Sequence, residues 1–155
     1  MDLITYQVEG MEELVRKARE LGTNGQKVVR EFLDKAAHSV EIKAKDIVTH
    51  DTGLLRSSIT PLVDSSPMPV WAKIGPSKAY GLYVELGTRP HWPPIAPLVD
   101  WARRHHMSPY AVAAAIAKRG TKPQPFMTPA LEKSKGDIDK FLVEAGNKLQ
   151  RDWEL

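Results

Sequence analysis

Histidine, the most common metal ligand in proteins, is the first residue type here that could do chemistry. His105 and His106 are adjacent, and adjacent side chains diverge by about 100° around a helix axis. Metal ligands on one helix face need a spacing of three or four residues. His38 and His50 are isolated from other histidines on the predicted long helix, and His91 stands upstream of the pair. The sequence therefore predicts no metal centre.

A hydrolase is the next chemistry to consider, because His50, Asp51, Ser57 and Ser58 lie close together in sequence. The serines lack a strained GxSxG setting, and proximity in sequence is not triad geometry. We interpret the segment as a polar turn that leads into a strand. There is also no GxxxxGK[ST] or GxGxxG pattern to bind nucleotide phosphates. We therefore predict that the chain is not an enzyme and binds no cofactor.

Nucleic-acid binding has more support, from the segment "PLVDWARRHHMSPYAVAAAIAKRGTK" at 97–122. Its two predicted helices, joined by "MSP", have the outline of a helix-turn-helix. The candidate DNA-facing basic residues are Arg103, Arg104, Lys118, Arg119 and Lys122. However, "AVAAAIA" lacks the Asn, Gln, Arg and Ser side chains that read base edges. The pattern favours a packed helical hairpin with basic edges and leaves open only sequence-independent contact with DNA.

Composition limits the class of protein. A chain of 155 residues is long enough for one domain with a sizeable core. It has no cysteine, which excludes disulfides and thiolate zinc sites and fits assembly in a reducing cytoplasm. The start "MDLITYQVEGMEELVRK" does not predict a signal peptide, and no apolar run approaches the ~20 residues of a membrane-spanning helix. We expect a globular protein with no membrane segment.

Charge and proline are both concentrated in the middle of the chain. Residues 50–127 hold 9 Lys/Arg and 4 Asp/Glu, a net charge of +5, whereas residues 1–49 and 128–155 each carry −1. All 12 prolines lie between Pro61 and Pro129. The pattern indicates two charge-balanced helical flanks around a basic, proline-rich middle, which can attract nucleic acid or an acidic protein surface.

Hydrophobic periodicity predicts an α+β fold. The apolar stripe on the long helix predicted at 26–50 consists of Val28, Val29, Phe32, Leu33, Ala36, Ala37, Val40, Ala44, Ile47 and Val48. The stripe on the last predicted helix consists of Ala130, Leu131, Ile138, Phe141, Leu142, Ala145 and Leu149. Helices are expected at 11–21, 26–50 (capped by Asn24), 79–86, 97–106, 109–119 and from the cap Thr128 onward. Strands are expected at 3–8, 57–64 and 69–75, with Gly53 turning the chain before the second of them. The predicted architecture is a small antiparallel sheet packed against long N- and C-terminal helices, with an inserted helical hairpin.

Aromatic residues divide into predicted core and predicted surface. Trp71 on a strand and Trp101 on a helix are expected in the core, as is the segment "AYGLYVELGT" at 79–88. The following "RPHWPP" contains three prolines and cannot be helical. We expect it to present a stiff, aromatic and basic surface to a partner, with Trp92 exposed.

Three motifs together resemble a known family. "DTGLLRSSI", "AYGLYVELGT" and "KPQPFMTPALEKS" are similar, in order and spacing, to the head–tail connector and tail-completion proteins of tailed phages, which are minor tail components. The motifs span residues 51–134, and the flanking helices extend the likeness over nearly the whole chain. The motif residues are Thr52, Gly53, Leu55, Arg56, Tyr80, Tyr83, Glu85, Gly87, Thr88, Pro125, Phe126 and Pro129.

The resemblance implies a structural virion protein at the head–tail neck. Such a subunit works in a homo-oligomeric ring, commonly hexameric, that completes or terminates the tail and joins it to the head. DNA passes through its lumen, and its neighbours are a neck or stopper protein and the tail tube protein. Such proteins have no catalytic site and no cofactor. They assemble in the bacterial host cytoplasm without a membrane.

Applied to this chain, the resemblance implies one connector domain over residues 1–155, with a proline-rich loop and helical-hairpin insertion at 89–122. The candidate interface residues are Arg56, Glu85, Arg89 and Trp92. We expect Arg56 and Glu85 to form an ion pair, within or between subunits, since Arg56 is the sole cation of the first motif and Glu85 is the sole charge of the second. The alternative function is a nucleic-acid-binding module that uses the basic hairpin 97–122.

Overall fold

A computed structural model describes residues 5–49 and 51–154. Its elements are α1 (Met11–Glu20), α2 (Gly22–Ile47), α3 (Leu54–Ser57), β1 (Ile59–Val63), β2 (Ala72–Pro76), α4 (Gly81–Leu86), α5 (Ala96–Arg104), α6 (Pro109–Arg119) and α7 (Met127–Trp153). Two long helices accompany one small antiparallel sheet. The predicted α+β class is confirmed.

The chain divides into two compact units. The larger unit is formed by Met1–Ser77 with Phe126–Leu155, and the smaller unit by Lys78–Pro125. The predicted insertion at 89–122 lies inside the smaller unit. The assignment of residues 1–155 to a single connector domain stays a prediction.

The core of the larger unit lies between α2 and α7. The apolar stripe predicted on α2 is buried except for half-buried Ile47. Its buried members are Val28, Val29, Phe32, Leu33, Ala36, Ala37, Val40, Ala44 and Val48. On α7 the buried positions are Ala130, Ser134, Ile138, Ala145 and Leu149, and Ser134 satisfies its hydroxyl on the carbonyl of Ala130. A spacing near 3.6 residues therefore predicted the packed face of α2 correctly. On α7 it predicted four of these buried positions, but Leu131, Phe141 and Leu142 of the predicted stripe are only half-buried.

Polar side chains also join these two long helices. Lys43 of α2 donates to the carboxylate of Asp137 on α7 and, at 2.9 Å, to the carbonyl of Lys133. The Ser39 hydroxyl donates to the same Asp137 carboxylate at 3.0 Å. The hydrogen bond from Lys43, followed by that from Ser39, holds the pKa of Asp137 below its usual range.

This carboxylate is expected to make stability depend on pH. Because the folded pKa of Asp137 is depressed, its contribution is complete above the unfolded pKa of about 3.9 and is lost as the pH falls through the folded pKa. Asp137→Asn should lower the urea midpoint at pH 7, and the difference from wild type should close in that acid range. Asp139→Asn, an exposed neighbour on the same helix, is the control and should change neither. A difference that persists at acid pH would contradict the assignment.

The sheet pairs β1 with β2 in antiparallel register, from Ile59 opposite Pro76 to Val63 opposite Ala72. Both strands pack on α2. Side chains alternate along β1, so that Ile59 is buried and Leu62 faces outward. The predicted strands 57–64 and 69–75 are therefore confirmed with different ends: β1 is shorter at both ends, and β2 starts three residues later and ends one residue later.

One predicted strand and two predicted helix caps are wrong. Residues 5–8 of the predicted strand 3–8 form no strand, because Val8 turns into α1 by accepting the amide of Met11; residues 3 and 4 lie outside the described residues. Asn24 does not cap α2, because Gly22 at φ 55° turns the chain and starts the helix there. Thr128 lies inside α7, since the Phe126 carbonyl already accepts the amide of Ala130.

In the smaller unit, glycine ends two of the three helices. Gly87 follows α4 and Gly120 follows α6, and both have a φ of 70°. The predicted helix 97–106 stops earlier, at Arg104, because His106 adopts a left-handed φ of 55° and the Met107 amide returns to the Ala102 carbonyl. The predicted hairpin is therefore confirmed with a shorter first helix.

Candidate subunit interface

The first motif folds into α3 and the start of β1. Gly53 adopts a left-handed φ of 78°, which favours glycine and turns the chain into α3. Leu55 and Ser58 are buried, and the Ser58 hydroxyl donates to the Leu55 carbonyl at 2.7 Å. Arg56 Nε donates to the Lys45 carbonyl at 2.9 Å, in the last turn of α2. Arg56 thus places a cation where the helix dipole is negative.

The loop that joins β1 to β2 is held in one conformation. The Asp64 carboxylate accepts the backbone amide of Ser66 at 3.0 Å and its hydroxyl at 2.8 Å. These two hydrogen bonds, led by the amide, hold the pKa of Asp64 below its usual range. Arg30 of α2 donates to the carbonyls of Asp64 at 3.2 Å and Ser66 at 2.8 Å. Arg30 therefore anchors the loop to α2.

This anchored hairpin exposes an apolar surface, which we call the hairpin patch: Leu62, Val70 and Trp71. Leu62 is 60% exposed, and Val70 and Trp71 are each about half exposed. Val70 also lines a shallow cavity of about 410 Å³ with Met11 and Val15 of α1. The prediction that Trp71 belongs to the core is wrong, because it precedes β2 and its carbonyl, rather than its ring, is engaged by the Asp64 amide.

The second motif forms α4 in the smaller unit. Tyr80, Tyr83 and Leu86 are exposed, with Tyr83 at 59%, whereas Glu85 and Gly81 are buried. The prediction that this segment packs its aromatic residues into the core is therefore wrong. A helix of six residues can bury only one narrow side, and that side carries Gly81 and Glu85, four residues apart.

A backbone crossing fixes the end of α4. Thr88 and Thr121 form an antiparallel bridge, with amide-to-carbonyl distances of 3.1 and 3.2 Å and with their hydroxyl oxygens 3.1 Å apart. The Gln124 amide donates to the Val84 carbonyl at 2.8 Å. The second and third motifs are thus joined within the smaller unit, although they are more than thirty residues apart.

The proline-rich segment presents its tryptophan, as predicted. His91 Nδ1 lies 2.8 Å from the Arg89 carbonyl, and Pro93 is buried. Trp92 between them is 60% exposed. A ring held outward by a stiff backbone loses little conformational entropy when a partner covers it.

The hairpin of α5 and α6 adds a further aromatic residue that the sequence reasoning missed. Tyr110, in the first turn of α6, is 65% exposed. Its position directly after Pro109, before the buried Val112 and Ala113, was the available signal. Trp101 is stacked on His105 with ring centroids 4.1 Å apart and is 37% exposed, so its predicted core position is also wrong. We call Tyr80, Tyr83, Trp92 and Tyr110 the aromatic set of the smaller unit.

Comparison with known families decides what kind of protein displays these surfaces. Residues 12–87 match the HK97-gp10-like family model, described as "Bacteriophage HK97-gp10, putative tail-component". Over these residues, just under half of the chain, the sequence is similar to this family of phage tail components. Searches of curated proteins and of solved structures found no match.

The match confirms the resemblance over residues 12–87, which include the first motif and all of the second except Thr88. A phage tail component is a structural part of the virion, so the chain is a tail-associated structural protein. The third motif lies beyond the matched segment, and its carry-over stays a prediction. In the structure its Phe126 is buried, at 1% exposure, and Pro129 lies in the first turn of α7.

The remaining predicted interface residues of this tail component belong to different units. Arg56, in the larger unit, lies 3.9 Å from Asp46 in addition to its bond to Lys45. Glu85 is buried in the smaller unit. Their mutual ion pair stays a prediction. Pro125, one of the prolines in the third motif, is exposed and lies just before the start of α7.

Neither a metal-ligand cluster nor a membrane-spanning helix is found in the part of the chain that the structure describes. Within residues 5–49 and 51–154, no three His, Asp or Glu side chains come together as metal ligands would. In the same residues, no helix is both long and apolar enough to cross a membrane.

Proposed function

We propose that this tail component is a ring-forming subunit at the head–tail neck, which completes or terminates the tail and joins it to the head while DNA passes through the ring. Its partners are further copies of itself, a neighbouring neck or stopper protein, and the tail tube protein. The observation that carries the proposal is that each of the two units displays its own uncovered apolar surface. These surfaces are the hairpin patch and the aromatic set.

Two different surfaces per subunit favour a ring over a simple dimer. An isologous dimer uses one self-complementary patch, whereas a closed ring uses a head-to-tail contact between two unlike patches. Tyrosine and tryptophan are the residues most enriched among interface anchors. We propose that the hairpin patch of one copy contacts the aromatic set of the next.

Local rigidity also supports the proposal. Arg30 and Asp64 hold the hairpin loop, and the Thr88–Thr121 bridge holds the segment that carries Trp92. Surfaces that are already ordered need little reorganisation when they dock, which suits a ring that must close with the same geometry at every contact.

A nucleic-acid-binding module is a weaker account of the whole chain. Before its last turn, α6 exposes Tyr110, Ala111 and Ala114, none of which is among the side chains that commonly read base edges. Contact between α6 and DNA would therefore not depend on base sequence, which suits a ring through which any DNA sequence must pass.

The interface can be tested by cysteine labelling, because the chain has no native cysteine. Ala111→Cys lies beside Tyr110, and Lys73→Cys lies opposite Leu62 in the sheet register. Both sites are exposed in the isolated chain and should react with maleimide there. In purified particles both should become protected, and a double variant should be cross-linked into multimers by a short bis-maleimide. Lys27→Cys, exposed on α2, is the control and should react in both states.

Labelling rates in particles equal to those of the isolated chain at both test sites would contradict the proposed interface. Cross-linking between two copies of Ala111→Cys alone, ending at dimers, would indicate isologous pairing and would also contradict a ring.

A further inference from the structure

The smaller unit carries a positive charge that the described residues do not neutralise. Residues 78–125 contain 7 Lys/Arg and 2 Asp/Glu. Of the two acids, Glu85 is buried, and Asp100 is paired with Arg103 at 3.0 Å. Five exposed basic side chains have no hydrogen bond or ion pair within the described residues: Lys78, at the start of this unit, and four others that lie near one backbone crossing, Arg89, Lys118, Arg119 and Lys122.

The fold gathers these four residues from two distant segments. Thr88 pairs with Thr121, so Arg89 and Lys122 each directly follow a bridge residue. Lys118 and Arg119 end α6, two to three residues before the bridge. The two backbone segments around this bridge are so close that a Cβ on Gly120 would lie 2.9 Å from the carbonyl carbon of Arg89. We call these four residues the crossing cluster.

We propose that the crossing cluster binds the phosphate backbone of duplex DNA, without reading its sequence. Lysine and arginine that neutralise phosphates release condensed counterions, which supplies the free energy of sequence-independent binding. The inference rests on the proposed function and deepens it, since it assigns the side chains that meet the DNA passing through the ring. It adds Arg89 to the sequence-based candidates and gives Arg103, which has a carboxylate partner, a smaller role.

Duplex DNA explains this charge better than an acidic surface of a second copy. In the larger unit, five carboxylates are paired with cations: Glu13 with Lys17, Glu31 with Lys148, Glu41 with Lys45, Asp137 with Lys43 and Glu132 with Lys135. The acids that remain, such as Glu12 and Asp139, are single exposed side chains. A polyphosphate instead offers a regular array of negative charges.

A purely structural role for part of the cluster is separable from DNA binding. Lys118 and Arg119 lie in the last turn of α6, where cations favour the helix dipole. Such a role would appear in the thermal stability of the chain and would leave its affinity for DNA unchanged.

The test compares two quadruple variants of the full chain with equal loss of charge. The first changes the crossing cluster, Arg89, Lys118, Arg119 and Lys122, to glutamine. The control changes Arg19, Lys27, Lys133 and Arg151 to glutamine; these are exposed in the larger unit and have no side-chain ion pair within the described residues. Each set removes two arginines and two lysines. Binding to a short fluorescent DNA duplex is measured by polarisation over a range of salt concentrations, and thermal melts record folding.

We expect the crossing variant to reduce the slope of log affinity against log salt by about 3 to 4, and to weaken binding at low salt by about 100-fold or more. The control should bind as wild type does. Equal losses in both variants, unchanged binding by the crossing variant, or no binding of DNA by the wild type would each overturn the proposal. Binding of polyglutamate by the wild type with the same salt dependence would assign the cluster to an acidic protein instead.

Failure of the proposed DNA-binding site can be distinguished from failure of the proposed ring. If the crossing variant still gives the cysteine protection and cross-linked multimers described above, a negative DNA result removes this inference alone. If protection and cross-linking are absent while DNA binding follows the crossing cluster, the proposed ring fails and the phosphate site stands.

Discussion

Gly25→Ala is expected to lower the free energy of unfolding by about 3 kcal/mol or more. Gly25 is buried in the first turns of α2, where α1 comes close. A Cβ at this position would lie 1.9 Å from the Ala18 carbonyl oxygen and 2.6 Å from its carbonyl carbon. Both are backbone atoms, so the overlap is relieved only if α1 moves away from α2. That movement would uncover Ala18, which is fully buried, together with Leu14 and Val15.

The measurement is urea unfolding followed by circular dichroism. Gly136→Ala is the matched control, because it is the same change in a helix with no atom within 4 Å of the new Cβ. It should stabilise the chain by about 0.5–1 kcal/mol, since glycine is a poorer helix former than alanine. A Gly25→Ala variant as stable as wild type would show that α1 does not pack on α2 at this distance.

Gly120→Ala is expected to open the Thr88–Thr121 crossing and to release the smaller unit selectively. Gly120 has a φ of 70°, which costs a residue with a Cβ about 1–2 kcal/mol. Its added Cβ would also lie 1.9 Å from the Thr88 carbonyl oxygen, the acceptor of the Thr121 amide. The two costs together should exceed about 3 kcal/mol locally.

Hydrogen exchange locates this effect. The amides of Thr88 and Thr121 should lose protection in Gly120→Ala, while amides in the middle of α2 keep theirs. Gly53→Ala is the matched control, with a φ of 78° but no atom within 4 Å of the added Cβ, so it should cost only the backbone strain. If both variants lose the same stability, the close approach at the crossing contributes nothing.

Helix faces were the part of the fold that the sequence predicted best. The stripe that starts at Val28 on α2 and ends at Val48, its C-cap, repeats with the helical period over about six turns, so the buried side could be read directly. The strands 59–63 and 72–76 were also predictable, because turn-forming residues stand between them. The division into two units could not be read from these local signals, since it depends on contacts between segments far apart in sequence.

Aromatic residues show why the candidate interface was only partly predictable. Hydrophobicity alone favours burial, and it wrongly predicted a core position for Trp71, Trp101 and the tyrosines of α4. Trp92 was predicted correctly, because the prolines around it exclude a helix and thereby hold the ring outward. The crossing cluster could not be assembled from the sequence, since Arg89 and Lys122 are brought together only by the Thr88–Thr121 bridge.

One experiment tests most directly whether this tail component acts at the head–tail neck. The gene is disrupted in the genome that encodes it, particle production is induced, and the lysate is examined by electron microscopy, with the wild-type gene supplied in trans as the control. If the protein acts there, we expect filled heads beside unjoined tails or tails of irregular length, and joined particles when the gene is restored. Normal, infectious particles from the disrupted strain would contradict it.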